Sequence, residues 1–235
     1  MDKIELLKQQ AGIEACKFVS NGMKVGLGTG STVKYTVIEL GRRIAEEGLQ
    51  IVGVPTSLAT EQLANKVGIP LVKLSECSHL DIVIDGADEF DRDFNLIKGG
   101  GAALLREKIV AQESNSMVVV ADERKLVNVL GAFPLPIEIT PFAHQATIRK
   151  LANLLDCRVN CRMSGDNPVV TDNGNYIADA HCGPSIDEPV KLEGKILNIA
   201  GVVQVGLFNE MCDVVVLAND SGVEILTNPK GRLTK

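Results

Sequence analysis

Four residues in one segment of the chain, Asp85, Asp88, Lys98 and Glu107, have the types and spacing for proton transfer on a polar small molecule. They lie in DGADEFDRDFNLIKGGGAALLREK (85–108). A carboxylate can take a proton from carbon, and a lysine with backbone amides can hold the negative charge that develops. Three glycines, Gly99, Gly100 and Gly101, follow Lys98 directly. There they let the backbone approach a ligand closely and aim N–H groups at it.

The flanking elements must position these groups. LDIVID (80–85) is an apolar run with no polar alternation, which predicts a strand buried on both faces of a parallel sheet. Ligands of such sheets sit beyond the carboxyl ends of the strands, where Asp85 and Asp88 fall. The glycines open an Ala/Leu-rich helix on which Gly100, Ala103 and Glu107 share a face. Helical side chains lean toward the amino end, which tips the Glu107 carboxylate back toward the glycines. Both aspartates, the lysine and the glutamate are therefore expected in one crevice.

A second candidate lies upstream. MKVGLGTGSTVKYTVIELGRRIAEEG (23–48) predicts a strand, a glycine-rich turn and a helix. Its turn, Gly28-Thr29-Gly30-Ser31-Thr32, combines flexible backbone, hydroxyls and a helix amino terminus, a suitable anion site. Taken alone, an ordinary strand-to-helix cap explains it as well. It is not a dinucleotide fingerprint, because Val33 stands where the third glycine of GxGxxG belongs, and no GK[ST] of a P-loop is present.

Composition narrows the class. The chain has 235 residues, 45% hydrophobic and 23% charged, which is globular and large enough for one large or two small domains. A net charge of −6 argues against nucleic acid or an anionic membrane as partner. Aromatic residues make up 3% with no Trp, so base-stacking surfaces are not expected. The first residues carry charges throughout and nowhere do eighteen apolar residues run together, so a cytoplasmic protein is expected. The six cysteines contain no CxxC pair and the histidines stand singly, so neither a metal nor a disulfide is expected. Cys157 and Cys161 are placed on one face of a strand. DGADEFDRD lacks the alternating ligands and terminal glutamate of an EF-hand.

In chain order, residues 2–20 predict a helix ended by Asn21-Gly22. IVGVPTS (51–57) is a strand and EQLANKVG its helix; IPLVKL (69–74) is a further short strand, and SMVVVAD (116–122) another, with Lys125 just beyond. These repeated strand–helix units predict an α/β fold, an open doubly wound, Rossmann-like parallel sheet. Near Phe133 the rhythm changes. PIEI is a strand, Thr140-Pro141 starts a helix through Leu155, CRVNCRM and PVVTDNGNYIADA are strands, 186–197 is partly helical and GVVQVGLF (201–208) is a strand. That order predicts an inserted ferredoxin-like α+β domain. The expected domains are 1–130 plus 209–235 for the catalytic part and 131–208 for the insertion, with the oligomer contact on the latter. CDVVVLANDSGVEIL (212–226) should rejoin the main sheet, and the polar tail from Asn228 should fray.

GTGST, DGADE, KGGGAALLREK and GVVQVGLF, in this order and at these separations, resemble the A-type ribose-5-phosphate isomerases, as do PFAHQATIRKL and TDNGNYI. The resemblance spans nearly the whole chain and meets no departure at a position expected to matter. It implies interconversion of ribose 5-phosphate and ribulose 5-phosphate in the non-oxidative pentose phosphate pathway, with no metal or other cofactor, by a homodimer or homotetramer. It further implies that Thr29, Gly30, Ser31 and Thr32 form one substrate-binding loop. Asp85, Gly86, Ala87 and Asp88 form a second, and Lys98, Gly99, Gly100 and Gly101 a third. Glu107 matches the proton acceptor, Lys125 a further substrate contact, and Lys8 a basic residue near the phosphate.

The chemistry of the residues agrees. Glu107 can remove and return the carbon-bound proton of an enediolate, worth about 10²- to 10⁴-fold. Lys98 and the glycine amides suit the oxyanion. Asp85 suits proton movement during ring opening, Asp88 can hold Lys98 or sugar hydroxyls, and the phosphate suits the Gly28–Thr32 turn with Lys125 or Lys8. Singly, each has a plainer explanation: Glu107 between Arg106 and Lys108 reads as a solvated helix face, and Lys98 as a surface lysine. A non-catalytic sugar-phosphate sensor would need a basic recognition helix, which is not visible. A nicotinamide-dependent dehydrogenase would need the missing glycine. A coenzyme A transferase would use a glutamate as nucleophile.

Overall fold

The computed structural model describes residues 2–233. Along the chain come α1 (Lys3–Ala15), β1 (Lys24–Leu27), α2 (Val33–Glu47), β2 (Val52–Pro55), α3 (Leu58–Lys66), β3 (Ile82–Gly86), β4 (Glu89–Phe90), β5 (Leu96–Ile97), α4 (Leu104–Gln112) and β6 (Met117–Asp122). There follow β7 (Leu135–Ile139), α5 (His144–Leu155), β8 (Arg158–Cys161), β9 (Met163–Ser164), β10 (Asn167–Pro168), β11 (Tyr176–His181), α6 (Pro189–Leu197), β12 (Val202–Val205), β13 (Leu207–Phe208), β14 (Val214–Asn219) and β15 (Gly222–Thr227). No described helix is long and apolar enough to cross a membrane.

The described chain divides into two compact units, one of residues 2–87, 106–125 and 210–233, the other of 88–105 and 126–209. The first is an α/β unit around a six-stranded sheet in the order β15-β14-β6-β3-β1-β2. All of its pairings are parallel except that of β15 on β14. The inner strands read VGL, IVID, MVVVAD and VVVLA because both their faces are covered, and β6 is buried at all six positions. Alternate residues Val25, Leu27, Ile82, Ile84, Val118, Val120, Val214 and Val216 form one face. Leu7, Ala11 and Ala15 of α1 and Val33, Val37 and Leu40 of α2 belong to the same core. On this sheet Leu27 stands beside Pro55 and Ile84, and Asp85 beside Val119, so the carboxyl ends of β1, β2, β3 and β6 lie along one edge.

The second unit holds a four-stranded antiparallel sheet, β12-β7-β11-β8. With α5 after β7 and α6 after β11, that strand order is the ferredoxin-like arrangement. Its core gathers Leu135, Ile137 and Ile139 of β7, Leu151 of α5, Ile196 of α6 and Val205 of β12. The unit also takes in residues 88–105, which the sequence places in the first domain. The reason is pairing: β4 and β5 join β13 in a three-stranded sheet, and Val127 N–H donates to Phe90 O (2.9 Å), which draws in 126–130 as well.

Several local expectations give way to local chemistry. IPLVKL is not a strand: Pro70 lacks the N–H that a ladder needs, only Leu71 bridges to Gly53, and the chain turns into a short 3₁₀ segment at Leu74. The helix predicted from Thr140-Pro141 starts at His144, because Ala143 is left-handed (φ 50°) and breaks the path from Pro141. Cys157 directly precedes β8 and is not part of the strand that holds Cys161; its Sγ lies 3.2 Å from that of Cys182. Burial, with the hydrogen-bonding contact to Cys157, pushes the Cys182 thiol up to about 12. The tail does not fray over 228–232: Asn228 Nδ2 donates to Cys212 O (2.8 Å), and Arg232 is ion-paired to the buried Asp213 (3.1 Å). The last two residues of the tail, 234 and 235, lie outside the described residues.

Candidate active site

In the first unit the site begins where β1 ends. Gly28 N–H donates to Ile84 O (3.0 Å), and Thr29 N–H donates to Asp85 Oδ1 (3.0 Å), which also accepts the Gly86 N–H (2.8 Å). Asp85 is fully buried, so two backbone amides compensate part of the cost of sequestering its carboxylate. The Thr29 hydroxyl lies 2.7 Å from Thr56 Oγ1 and donates to Ser57 Oγ (2.8 Å), and Thr60 Oγ1 donates to Gly28 O (2.8 Å). Ser57 in turn caps α3 by accepting the Thr60 N–H (3.1 Å). This hydroxyl cluster at the ends of β1 and β2 fixes the glycine-rich turn. Nothing in the sequence marks Thr56, Ser57 and Thr60 as site residues beyond the Thr-Ser pair that directly follows β2.

Beyond Thr29 the turn opens. Gly30 and Ser31 are exposed, Gly30 has φ 132°, and the side chain of Thr32 makes no capping bond to α2. The amino terminus of this 15-residue helix is therefore not closed by its own N-cap residue, and its backbone dipole favours an anion. Lys8 of α1 pairs with Glu5 (2.8 Å), which also accepts from Tyr35 Oη (2.6 Å) and Lys34 Nζ (3.2 Å), two residues in the first turn of α2. The hydrogen bonds from Lys8, Tyr35 and Lys34 hold the Glu5 carboxyl down at about 2.

Glu107 lies in the first turn of α4 and is 3% exposed. That burial removes the solvated-face explanation open to it in sequence, and the helix dipole there favours its carboxylate. At the end of β6, Asp122 accepts from Arg124 Nε (2.7 Å) and Nη2 (2.9 Å). Burial works against its charged form, but the Arg124 hydrogen bonds and charge outweigh it and keep its pKa below the ordinary value. Lys125, half-buried, closes the 3₁₀ turn that follows.

In the second unit, Asp88 N–H donates to Ile97 O (2.8 Å), and Asp88 Oδ2 accepts the Gly100 N–H (2.7 Å), tying the acidic loop to the glycine loop. A Cβ on Gly100 would fall 2.5 Å from Asp88 Oδ1, so any side chain there would displace the Asp88 carboxylate from the Gly100 N–H. Lys98 is 2% exposed, not a surface lysine, and its Nζ sits 5.3 Å from the centre of the Phe208 ring. Its N–H donates to Gly206 O (2.9 Å), so GVVQVGLF bends between β12 and β13 at the residue that anchors the glycine loop. Glu89, also buried, accepts from Gly131 and Phe133 N–H groups. Asp91 serves its own turn, accepting from Asp93 and Asn95 N–H groups. Gly86 and Ala87 are half-buried; Gly101 is exposed and Gly99 buried.

The structure thus joins Thr29 and Gly86 to Asp85, Gly100 to Asp88, and Lys98 to the β12–β13 bend. A cavity of about 510 Å³ lined by Val54, Leu71, Lys73, Arg106 and Ile109 contains none of the predicted site residues. No cluster of three or more His, Cys, Asp or Glu residues suited to a metal occurs among the described residues.

Comparison with known proteins identifies the family. Residues 52–222 match the family model for ribose 5-phosphate isomerase A (phosphoriboisomerase A). The ribose-5-phosphate isomerase A of Cereibacter sphaeroides is 50% identical over 228 residues, 94% of this chain and 87% of the relative. The solved ribose 5-phosphate isomerase A of Methanocaldococcus jannaschii superposes with a TM-score of 0.90 at 44% identity, over 95% of this chain and 99% of that one. A D-ribose-5-phosphate isomerase solved in complex with phospho-erythronic acid superposes with a TM-score of 0.92 at 41% identity, over 97% and 100%. With half of its residues shared with a relative over almost its full length, this chain belongs to the ribose 5-phosphate isomerase A family.

Proposed function

We propose that the chain interconverts D-ribose 5-phosphate and D-ribulose 5-phosphate through an enediolate, with Glu107 as the base that moves the proton. The observation that carries the reading is a carboxylate 3% exposed in the first turn of α4, in a chain of this isomerase family. A solvated surface glutamate has no reason to be there.

The chemistry follows from the groups. The phosphate lies at the Gly28–Thr32 turn, where Thr29, Gly30, Ser31 and Thr32 precede the amino terminus of α2, with Lys8 and Lys125 adding positive charge. Asp85 takes the proton of the anomeric hydroxyl as the sugar ring opens and delivers one to the ring oxygen. Glu107 removes the hydrogen on C2 as a proton, and the electron pair forms the C1=C2 bond while negative charge develops on O1. Lys98 and the amides of Gly99 and Gly101 stabilise that oxyanion, and Asp88 holds the loop through the Gly100 amide. Glu107 then returns its proton to C1 and the O2 proton is lost as the ketone forms, so the net change is a hydrogen from C2 to C1 and from O2 to O1. The acidic loop, Asp85, Gly86, Ala87 and Asp88, flanks the sugar hydroxyls. The resemblance is the ground for two further parts of the proposal, action in the cytoplasm within the pentose phosphate pathway and assembly as a homodimer or homotetramer.

The test is ketose formation from ribose 5-phosphate with and without EDTA. The expected rate is the same in both, because a carboxylate base and a lysine supply the acid–base and charge-stabilising roles. A protein that binds the sugar phosphate without converting it would instead be a sensor, and a rate abolished by EDTA would overturn the metal-free chemistry.

A further inference from the structure

One side chain outside the matched loops is tied to the glycine loop. Arg162, just past β8, sends Nη1 to the carbonyl oxygens of both Gly99 (3.0 Å) and Gly100 (2.9 Å). The rest of its guanidinium forms a two-pronged pair with Asp179 of β11, Nε to Oδ2 at 2.9 Å and Nη2 to Oδ1 at 2.6 Å. Both side chains are largely buried, at 18% and 15% exposure. The Arg162 N–H also donates to Ile177 O (2.7 Å), so the arginine's backbone is fixed beside β11.

In a trans peptide the C=O of one residue and the N–H of the next point in opposite directions. A guanidinium that holds the Gly99 and Gly100 carbonyls therefore turns the Gly100 and Gly101 N–H groups the other way. The first of these is seen to do so, since Gly100 N–H donates to Asp88 Oδ2. The second belongs to an exposed glycine. A cation on the carbonyl side of a peptide also polarises it and strengthens its N–H as a donor. Glycines have the most backbone freedom to lose, so a loop of three of them needs an outside restraint to present one geometry.

We propose that Arg162, locked by Asp179, is a positioning residue for the isomerisation. It presets the glycine loop so that the Gly101 amide meets the charge developing on the substrate without rearrangement, while the Gly100 amide stays on Asp88. This rests on the function proposed above, and it assigns Arg162 and Asp179 a role that neither the motifs nor their spacing suggests. Lysine cannot substitute, because one ammonium lacks the planar fork that spans two carbonyls and a carboxylate together.

The test compares Arg162→Ala, Arg162→Lys and Asp179→Asn with the intact protein in kcat, KM and melting temperature, and adds guanidinium chloride to Arg162→Ala. The expected result for Arg162→Ala is a kcat lower by about 10²-fold with KM within about threefold, the size of losing one preorganised oxyanion donor. Free guanidinium should restore at least about a tenth of the lost rate, methylammonium should not, and Arg162→Lys should stay well below the intact protein. Wild-type kcat in Arg162→Ala overturns the proposal, as does a loss that tracks the melting temperature and that guanidinium leaves unrepaired. Glu107→Gln measured in parallel separates the two claims. If Glu107→Gln is inactive and Arg162→Ala is not, only the clamp falls; if the intact protein forms no ketose, the reaction and the clamp fall together.

Discussion

Glu107→Gln is expected to lower kcat for ribose 5-phosphate by about 10³-fold, within the range for removing a general base, and to leave KM within about threefold. The substitution keeps the size of the side chain and one of its oxygens but cannot accept a proton from carbon. Glu107 is 3% exposed at the start of α4, so water does not readily take its place. Glutamine keeps the shape of the side chain, so the variant should still fold cooperatively, and its rate is to be compared well below its own melting temperature. Steady-state kinetics with thermal denaturation checks both parts. A variant that loses rate and melting temperature together would make Glu107 a structural residue, and one that retains more than about a tenth of kcat would exclude it as the base.

Gly28→Ala should be the most damaging single-methyl change in the first unit. A Cβ on Gly28 would lie 2.2 Å from Asp85 Oδ1, 2.4 Å from its Cγ and 2.6 Å from its Cα. The last of these is backbone in the middle of the central sheet, so no rotation of a flexible side chain relieves the contact. The turn or β3 must move, and the Thr29–Asp85 bond moves with it. Overpacking of this kind costs about 1–3 kcal/mol of stability. If the turn holds the substrate's phosphate as proposed, displacing it by about 1 Å costs about 10²-fold in rate. Denaturant unfolding and kcat/KM report the two effects. Gly30→Ala is the informative control. A Cβ there meets nothing within 4 Å, and the strain comes only from φ 132°, so its loss should be the smaller.

The parts of this fold that show in the sequence are those where one strong physical demand acts alone. LDIVID and SMVVVAD are legible because strands covered on both faces must be apolar throughout. The ferredoxin-like unit is legible because its strands and helices alternate with clear breaks. IPLVKL misleads because its apolar character is real but Pro70 withholds the donor that pairing requires. The start of α5 misleads because the left-handed Ala143 leaves no mark on the residue type. The assignment of 88–105 to the second unit depends on β5 pairing with β13, more than a hundred residues downstream, and local patterns carry no such information.

The candidate site divides in the same way. Asp85, Lys98 and Glu107 are conspicuous as polar residues beside apolar runs and glycines, and all three prove to be buried. Arg162 is not conspicuous, because an arginine in a strand-like stretch with polar neighbours looks like a solvent-facing position. What gives it a role is the pair of carbonyls it holds, 62 and 63 residues away, and the partner carboxylate 17 residues on.

The central claim is that the hydrogen leaving C2 travels as a proton on Glu107. The most direct test is to bring ribose 5-phosphate to equilibrium with the protein in D₂O containing EDTA, and to read C2 of the aldose and C1 of the ketose by NMR. Solvent deuterium at both carbons is the predicted result, appearing at least about a hundredfold more slowly with Glu107→Gln. Deuterium entering C1 and C2 as fast with Glu107→Gln as with the intact protein would contradict the account, since the hydrogen would then leave carbon without that carboxylate.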